Sequence, residues 1–290
     1  MDTFCITTDS VVDMTLERME ELEATFVPLH VHFGNEDFPD DMRPETTAYL
    51  FEQMRKGQVA TTSQATVDSF LSLWEPMLKA GKDILYIGFS NALSGTMNSA
   101  LVARTELAES YPKRSIFIVD TLGGSASESL LLEEAVELKR NGFDIKSCFN
   151  AIEKLKLKIQ YWFTLAELTY VRRGGRVTGT AAAIGTLLDI KPIMEVNLEG
   201  KIIPREKVKG RRASIKRLAE LVFEKLDVLS AKLIHITHAE CLEDARKLAE
   251  LVKDRFPKLI VRIYPMGAVI GVHGGPGALS IAFAGGQRKI

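Results

Sequence analysis

The sequence predicts an α/β protein with two domains, and three observations support this. In the first half, short apolar runs alternate with segments of helical periodicity, which is typical of a parallel sheet flanked by helices. In the second half, extended runs on either side of residues 198–200 indicate a hairpin, followed by further strands and helices. The chain has 290 residues, 46% of them hydrophobic, which is enough to form the cores of two domains.

The first half contains four candidate strands and six candidate helices. The strands are the runs FCITT, TFVPLHVHF, DILYIGF and RSIFIVD. The helices are predicted over residues 15–24, 45–56, 66–80, 95–109, 125–141 and 145–158. Parallel sheets bind ligands just beyond the carboxyl ends of their strands, and the segments ITTDS, IGFSNALSGT and IVDTLGGS lie at such ends.

The second half is predicted to form a mixed sheet with antiparallel pairs. Helices are expected over residues 211–226 and 242–255, and the strands KLIHITH and LIVRIYP follow them in turn. The terminal run GAVIGVHGGPGALSIAFAG is predicted to form two apolar strands separated by a turn rich in glycine and proline. We place the domain boundary before RRGGR, which gives an N-terminal Rossmann-like domain over 1–165 and a C-terminal α/β domain over 166–290.

Composition argues against several classes of function. A formal net charge of −1 and a pI near 6.6 argue against binding of nucleic acid by bulk electrostatics. The N-terminus lacks the basic region of a secretion signal, and no apolar run approaches the ~18 residues that cross a bilayer. The three cysteines are far apart, which suits reduced thiols in a cytoplasm. We therefore expect a cytoplasmic protein, and a monomer because no apolar surface stripe is evident.

Hydroxyl residues and a glycine stand where the DILYIGF strand gives way to a helix. Ser94, just before Gly95, is placed to cap that helix by accepting a backbone N–H. The same geometry suits a carboxylate or phosphate, because helix N-termini expose amide donors that bind anions. A second hydroxyl cluster, ATTSQAT, presents Thr62 ahead of another helix, and the same two interpretations apply to it.

One histidine stands apart from the other four. His273 lies in the glycine-rich segment GVHGGPGALS, which indicates either close backbone approach to a ligand or a simple hairpin turn. His30 and His32 share one face of a strand, but no third metal ligand is apparent. His235 and His238 are three residues apart on a strand and so face opposite ways. No metal site is predicted.

Positive charge is concentrated in two segments of this otherwise neutral chain. One is RRGGR at 172–176, and the other spans 201–217 with eight basic residues against one acid, Glu206. Three interpretations stay open: a solvated face, a rim that handles phosphate, or a docking surface for an acidic partner.

Sequence signatures of nucleotide binding and of hydrolases are missing. The chain has no GxGxxG after a strand, no Walker A motif and no GxSxG elbow. No cofactor is therefore predicted, and the Rossmann-like sheet brings no expectation of dinucleotide binding. Ser94 lies in LSGT, which weakens a hydrolase interpretation.

Seven segments, taken together, resemble the DegV family of bacterial fatty-acid-binding proteins. They follow the family's order and spacing from the first strand to nearly the last residue. The segments are ITTDS, TSQ (62–64), LSGT (93–96), RRGGR (172–176), IKPI (190–193), PREKVKGRR (204–212) and GVHGGPGAL (271–279). The chain departs from the family at its second Asp-Ser pair, where Thr121 replaces the serine.

The resemblance implies a two-domain DegV-like fold that holds one long-chain fatty acid between its domains. By this resemblance the carboxylate meets the hydroxyls of Thr62 and Ser94, with the Gly95 amide and His273 close by. The tail then supplies affinity, and the hydroxyls set the position of the carboxylate.

The resemblance also implies that the chain is a lipid-binding subunit and not itself an enzyme. A separate ATP-binding fatty acid kinase subunit phosphorylates the bound carboxylate, and the acyl-phosphate enters phospholipid synthesis. A transient contact with a membrane surface is compatible with this role. The residues implied to neutralise phosphoryl charge or to dock the kinase are Arg173, Arg176, Arg205, Lys207 and Arg211.

Two alternatives stay open beside the fatty-acid carrier. In the first, Ser94 is a nucleophile and His273 its base in acyl-ester hydrolysis. In the second, the fold carries another anionic lipid or small molecule, such as an isoprenoid or a phosphorylated metabolite.

Overall fold

The structure, a computed structural model, describes residues 4–177 and 189–288, so the predicted domain ranges include residues outside the described part. The strands are β1 Phe4–Asp9, β2 Ala24–Val27, β3 His30–Phe33, β4 Glu36–Pro39, β5 Ala60–Ser63, β6 Asp83–Gly88, β7 Ile116–Asp120, β8 Ile159–Thr164, β9 Ile190–Val196, β10 Ile202–Lys209, β11 Leu233–His238, β12 Ile260–Pro265 and β13 Leu279–Ala284. The helices are α1 Leu16–Glu21, α2 Pro44–Arg55, α3 Val67–Lys79, α4 Thr96–Ser110, α5 Ala126–Arg140, α6 Ile145–Leu155, α7 Thr169–Gly174, α8 Arg211–Lys225, α9 Leu242–Arg255 and α10 Ala268–Gly274, with 3₁₀ turns at Ser10–Val12 and Lys156–Lys158.

The first half forms a four-stranded parallel sheet, as predicted. Its strand order is β2-β1-β6-β7, and each neighbouring pair is parallel. The apolar residues of β6 are buried because helices cover both faces of such a sheet. The six helices predicted in this half are all present, with ends that differ by a few residues. The loops after these strands gather at one edge of the sheet.

The second half contains a six-stranded mixed sheet in the order β10-β9-β8-β13-β11-β12, which confirms the predicted fold class. β11 and β12 are parallel, and the other pairs are antiparallel. The predicted hairpin joins β9 to β10, and the Asn197 side chain accepts the Glu199 and Lys201 backbone N–H groups at 3.0 Å each. Helices α8 and α9 pack on one face of this sheet over a core that includes Trp162 and Ile236.

The domain boundary at residue 165 stays a prediction. β8, which the prediction assigns to the first domain, pairs with β9 and β13 in the six-stranded sheet. Helix α5 contacts strands of both sheets and buries ten of its residues, so one continuous core joins the two halves.

The single strand predicted over TFVPLHVHF is wrong in one respect, because the run forms two strands in different sheets. β2 belongs to the parallel sheet, whereas β3 lies in a three-stranded antiparallel sheet of order β4-β3-β5. Pro28 separates them, and its missing N–H cannot contribute to a ladder. This small sheet, which was not predicted, carries Thr62 on β5.

The prediction of a strand over GAVIGVH is also wrong, because residues 268–274 form helix α10. Two buried carboxylates from distant parts of the chain stabilise its start. Asp13 accepts the Gly267 N–H at 2.7 Å, and Asp40 accepts the Val269 N–H at 2.9 Å. A Cβ on Gly271 would lie 2.9 Å from Phe51 Cζ, so glycine allows the helix to pack closely on α2. Tertiary contacts therefore override the β propensity of the run.

Within the described ranges, no helix is both long and apolar enough to cross a membrane.

Candidate functional site

A cavity of about 300 Å³ lies beyond the carboxyl ends of the parallel strands, where β8, β9 and β10 of the other sheet also reach it. We call it the main cavity. Its apolar and aromatic lining comprises Leu29, Phe89, Leu93, Gly124, Tyr161, Phe163, Leu165, Val171, Val196, Ile202, Met266, Val269, Ile270 and Ala278. Its remaining lining, which includes the more exposed residues, forms the mouth: Thr62, Ser63, Gln64, Ser94, Gly95, Arg176, His273 and Gly274. A mostly apolar cavity with a few polar groups at one end is typical of a small-molecule site.

The start of helix α4 forms one side of the mouth. Ser94 Oγ accepts the Thr96 N–H at 3.2 Å and hydrogen-bonds to Thr96 Oγ1 at 2.9 Å. Thr96 Oγ1 in turn accepts the Ala65 N–H at 3.3 Å, which ties the helix start to the segment after β5. Ser94 thus satisfies the first N–H of the helix from one residue before the N-cap Gly95, and it also lines the mouth.

The opposite side of the mouth is formed by β5 and by the C-terminal end of α10. Thr62 Oγ1 and His273 Nε2 are hydrogen-bonded at 2.9 Å, although the two residues are 211 positions apart. The structure therefore brings Thr62, Ser94, Gly95 and His273 to one mouth, as the motifs together had suggested.

His273 is held as a neutral imidazole. Burial lowers its pKa to about 4, and the nearby positive charge of Arg176 acts in the same direction. Its Nδ1 atom is buried without a hydrogen-bond partner in the described part of the chain. Gly174 makes this position accessible to the ring, since a Cβ there would lie 2.1 Å from Nδ1. A bound carboxylate would favour a proton on this ring and raise its pKa.

One of the five predicted basic residues, Arg176, lies at the mouth, and a second, Arg173, lies in an adjacent pocket. Arg176 lines the main cavity, and its Nε donates to the Leu93 carbonyl at 3.5 Å. Arg173 and Arg176 both line a smaller pocket of about 100 Å³ that shares Thr62 and His273 with the mouth. Both arginines are exposed. Positive charge is therefore available beside the hydroxyls.

The other three basic residues lie elsewhere. Arg205 donates to Glu195 at 2.5 Å. Glu195 lies on the face of the six-stranded sheet that carries Trp162, and this face does not line the main cavity. Arg211 donates to Asp244 at 2.8 Å at the start of α8. Lys207 is exposed on β10. The structure does not place these three in the main cavity or in its mouth.

Asp9 is a positioning residue whose role the sequence did not reveal. It ends β1, is fully buried, and accepts the Tyr86 hydroxyl at 2.6 Å and the Phe89 N–H at 3.0 Å. Burial raises its pKa, and these hydrogen bonds partly offset that effect. Because Phe89 lines the cavity, Asp9 fixes the loop that continues to Ser94. Its position in the strand-end segment ITTDS was the available signal.

The remaining histidines lie outside the main cavity. His30 Nδ1 and Asp37 Oδ1 are 2.8 Å apart on the small sheet, and His235 is fully buried beside Glu133. Within residues 4–177 and 189–288, no group of three His, Cys, Asp or Glu side chains is arranged to hold a metal ion.

The fold and this mouth together define an α/β protein with an apolar cavity and a polar entrance. A family model described as "Uncharacterised protein, DegV family" matches residues 3–285, and the chain belongs to that family. It is 37% identical over 290 residues to a DegV domain-containing protein of Clostridium perfringens, and the match covers 100% of both chains.

Two solved structures share this fold. One is described as DegV, a fatty acid binding protein from Bacillus subtilis, with 27% identity and a TM-score of 0.86 over 98% of this chain and 100% of that one. The other is the Streptococcus pneumoniae Fatty Acid Kinase (Fak) B3 protein loaded with linoleic acid. It has 22% identity and a TM-score of 0.85, covers 97% of this chain and 99% of that one, and shows the fold alone.

Proposed function

We propose that this protein binds one long-chain fatty acid, with the carboxylate at the mouth and the tail in the main cavity. The observation that carries the proposal is the apolar cavity of about 300 Å³ with Thr62, Ser94 and His273 at one end. The fatty-acid-binding relative from B. subtilis supports it.

The tail and the carboxylate contribute unequally to the free energy of binding. Burial of about 14 methylenes at ~0.8 kcal/mol each offers about 11 kcal/mol before the costs of association. A hydrogen bond to a charged group contributes only about 1.5–3 kcal/mol. The tail therefore supplies affinity, and Thr62, Ser94 and the Gly95 amide position the carboxylate.

A substitution that fills the cavity tests this binding mode, and β10 supplies a matched pair. Ile202 lines the main cavity, whereas the next side chain, Ile203, points to the other face of the strand. Displacement of a fluorescent fatty acid from delipidated protein is expected to give Kd values for palmitate at least tenfold weaker for Ile202→Trp, with Ile203→Trp close to wild type. Equal affinities for all three proteins would contradict a tail in this cavity.

We further propose that the protein presents the carboxylate to a separate ATP-dependent kinase subunit, and that the acyl-phosphate supplies phospholipid synthesis. The fold shared with the S. pneumoniae kinase protein supports this role. On this proposal Arg173 and Arg176 face the phosphoryl group, and Arg205, Lys207 and Arg211 contact the kinase. On this proposal the chain acts as a cytoplasmic monomer with no catalytic residue, and it contacts a membrane surface only transiently.

The kinase role has its own test. Acyl-phosphate formed with ATP and the kinase subunit is trapped with hydroxylamine, for wild type and for Lys207→Glu. The charge reversal is expected to weaken coupling about tenfold while the Kd for palmitate is unchanged, because Lys207 lies outside the main cavity. If Lys207→Glu gives acyl-phosphate at the wild-type rate, Lys207 is an ordinary solvent-exposed residue and does not contact the kinase.

The hydrolase alternative lacks a nucleophile–base contact. His273 Nε2 is hydrogen-bonded to Thr62 Oγ1, and Ser94 Oγ is hydrogen-bonded to Thr96 Oγ1. Nucleophilic catalysis needs the base within hydrogen-bond reach of the serine. Turnover of chromogenic acyl esters that is lost in Ser94→Ala would revive this alternative.

A further inference from the structure

A second apolar cavity adjoins the main one. Its volume is about 260 Å³, and we call it the second cavity. Its apolar walls include Met14, Leu16, Met42, Phe51 and Pro265. Met266 is the one described residue that lines both cavities, so its side chain lies where the two cavities meet.

We propose that Met266 is a movable partition, and that the second cavity receives the methyl end of acyl chains too long for the main cavity. This inference rests on the proposed fatty-acid binding. It assigns a further binding site and a residue that determines chain length.

Met266 lies just before the start of helix α10, whereas His273, which lines the mouth, lies near the end of that helix. Three cavity segments are anchored on residues 10–13: Leu29 N–H donates to Ser10 Oγ, Ser125 N–H donates to the Val11 carbonyl, and Gly267 N–H donates to Asp13, at 3.1, 2.8 and 2.7 Å. The mouth lies at the other end of helix α10. Seven residues separate Met266 from His273, which corresponds to about 10 Å of helix. A straight path along α10 therefore leads from the mouth to Met266, and a palmitate tail, which is longer than this when extended, fits the main cavity in a bent form.

The backbone of Met266 is fixed, whereas its side chain is adaptable. The Met266 N–H donates to the His238 carbonyl at 2.8 Å, and the next N–H, of Gly267, is held by Asp13. The side chain is 3% exposed, so it fills the space between the cavities. Methionine is unbranched and has three rotatable bonds, which allows its side chain to turn aside.

The chemistry of the second cavity fits a hydrocarbon end better than a second carboxylate. Asp13 lines it and already accepts Ser125 Oγ and Gly267 N–H. Asp13 and the adjacent Asp40, which approaches the same Gly267, are buried acids and offer no positive charge to an anion. The rest of the lining is mostly apolar and includes methionine, leucine and phenylalanine side chains. Its other polar members are Thr15, Glu17, Thr47, His238 and Glu240.

The test compares chain-length preference in variants of Met266. Delipidated wild type, Met266→Ala, Met266→Val and Met266→Phe are titrated with saturated fatty acids of increasing length, by displacement of a fluorescent fatty acid. Met266→Ala and Met266→Val are expected to improve the Kd for docosanoate relative to palmitate about tenfold, the gain from burying two further methylenes. Met266→Phe is expected to change the ratio about tenfold in the opposite direction.

Two further variants separate a passage from a general loosening. Met19→Ala makes a void in the core outside both cavities and should leave the wild-type ratio unchanged. Ala48→Trp, which fills the second cavity, should abolish the gain when combined with Met266→Ala. Folded Met266→Ala and Met266→Val proteins that keep the wild-type ratio would overturn the partition. Failure of wild type to bind any fatty acid would instead overturn the proposed function.

Discussion

Helix α4 begins and helix α10 ends at the mouth of the main cavity, and the N-termini of the two helices are stabilised in different ways. The start of α4 is capped locally, since Ser94 accepts the N–H of Thr96 two residues later. The start of α10 is capped by Asp13 and Asp40, which precede it by more than 200 residues. A local cap is visible in the sequence, whereas a cap formed by tertiary structure is not. Each helix nevertheless brings a polar residue to the mouth.

Removal of a distant cap should have the largest effect. Asp13→Ala is expected to lower the free energy of unfolding by about 3 kcal/mol, because two buried donors, Ser125 Oγ and Gly267 N–H, lose their acceptor. Asp13 also has a φ of 46°, which asparagine tolerates better than alanine. The measurement is the midpoint of urea unfolding, with Asp13→Asn as the milder control. An Asp13→Ala protein as stable as wild type would show that α10 needs no distant cap.

The two ends of α10 should respond oppositely to pH. Burial raises the pKa of Asp40 to about 6, so stability from this group is present at low pH and lost as the pH rises towards 6. The pKa of His273 is lowered to about 4, so its contribution is present above about 6.5 and lost as the pH falls towards 4.

Two variants therefore separate the contributions of Asp40 and His273 to the pH dependence of stability. Between about pH 4 and pH 6.5, the stability of Asp40→Asn relative to wild type should rise by about 3 kcal/mol. The stability of His273→Gln relative to wild type should fall by about 3 kcal/mol over the same range. Urea unfolding across this pH range measures both, and parallel slopes for the two variants would contradict the assigned charge states.

The hydroxyls of the mouth should affect turnover more than binding. Thr62→Ala or Ser94→Ala is expected to slow carboxylate phosphorylation about 10–100-fold, since each removes one hydrogen bond to a charged group. The Kd for palmitate should change less, because the tail supplies most of the affinity. Thr105→Ala deletes a hydroxyl that bonds within α4 and serves as the matched control. Equal losses of binding and turnover would refute this division between head and tail.

The smallest effect is expected for the local cap itself. Ser94→Ala should lower the free energy of unfolding by about 0.5–1 kcal/mol, because Thr96 keeps its side-chain acceptor role towards Ala65. Urea unfolding beside Asp13→Ala gives the direct comparison. A loss for Ser94→Ala as large as that for Asp13→Ala would remove the distinction between local and distant capping.

These contrasts explain how much of the molecule the sequence could predict. The parallel sheet, the hairpin and the α4 start follow from local periodicity, turn residues and caps. The helix at α10 and the split between β2 and β3 depend on partners that the local sequence does not identify. At the site, single motifs predicted Thr62, Ser94 and His273, but the apolar lining comes from many segments and has no local signature. Asp9 was marked only as a strand end, since its partners Tyr86 and Phe89 are about 80 residues away.

The most direct test of the account is mass spectrometry of an organic extract from denatured recombinant protein, with Ser94→Ala beside wild type. The account predicts one equivalent of long-chain fatty acid in wild type and nearly as much in Ser94→Ala, because the tail in the main cavity provides the affinity. An extract without an acyl chain, unchanged after incubation with palmitate and oleate, would contradict fatty-acid binding and leave the cavity to another anionic ligand.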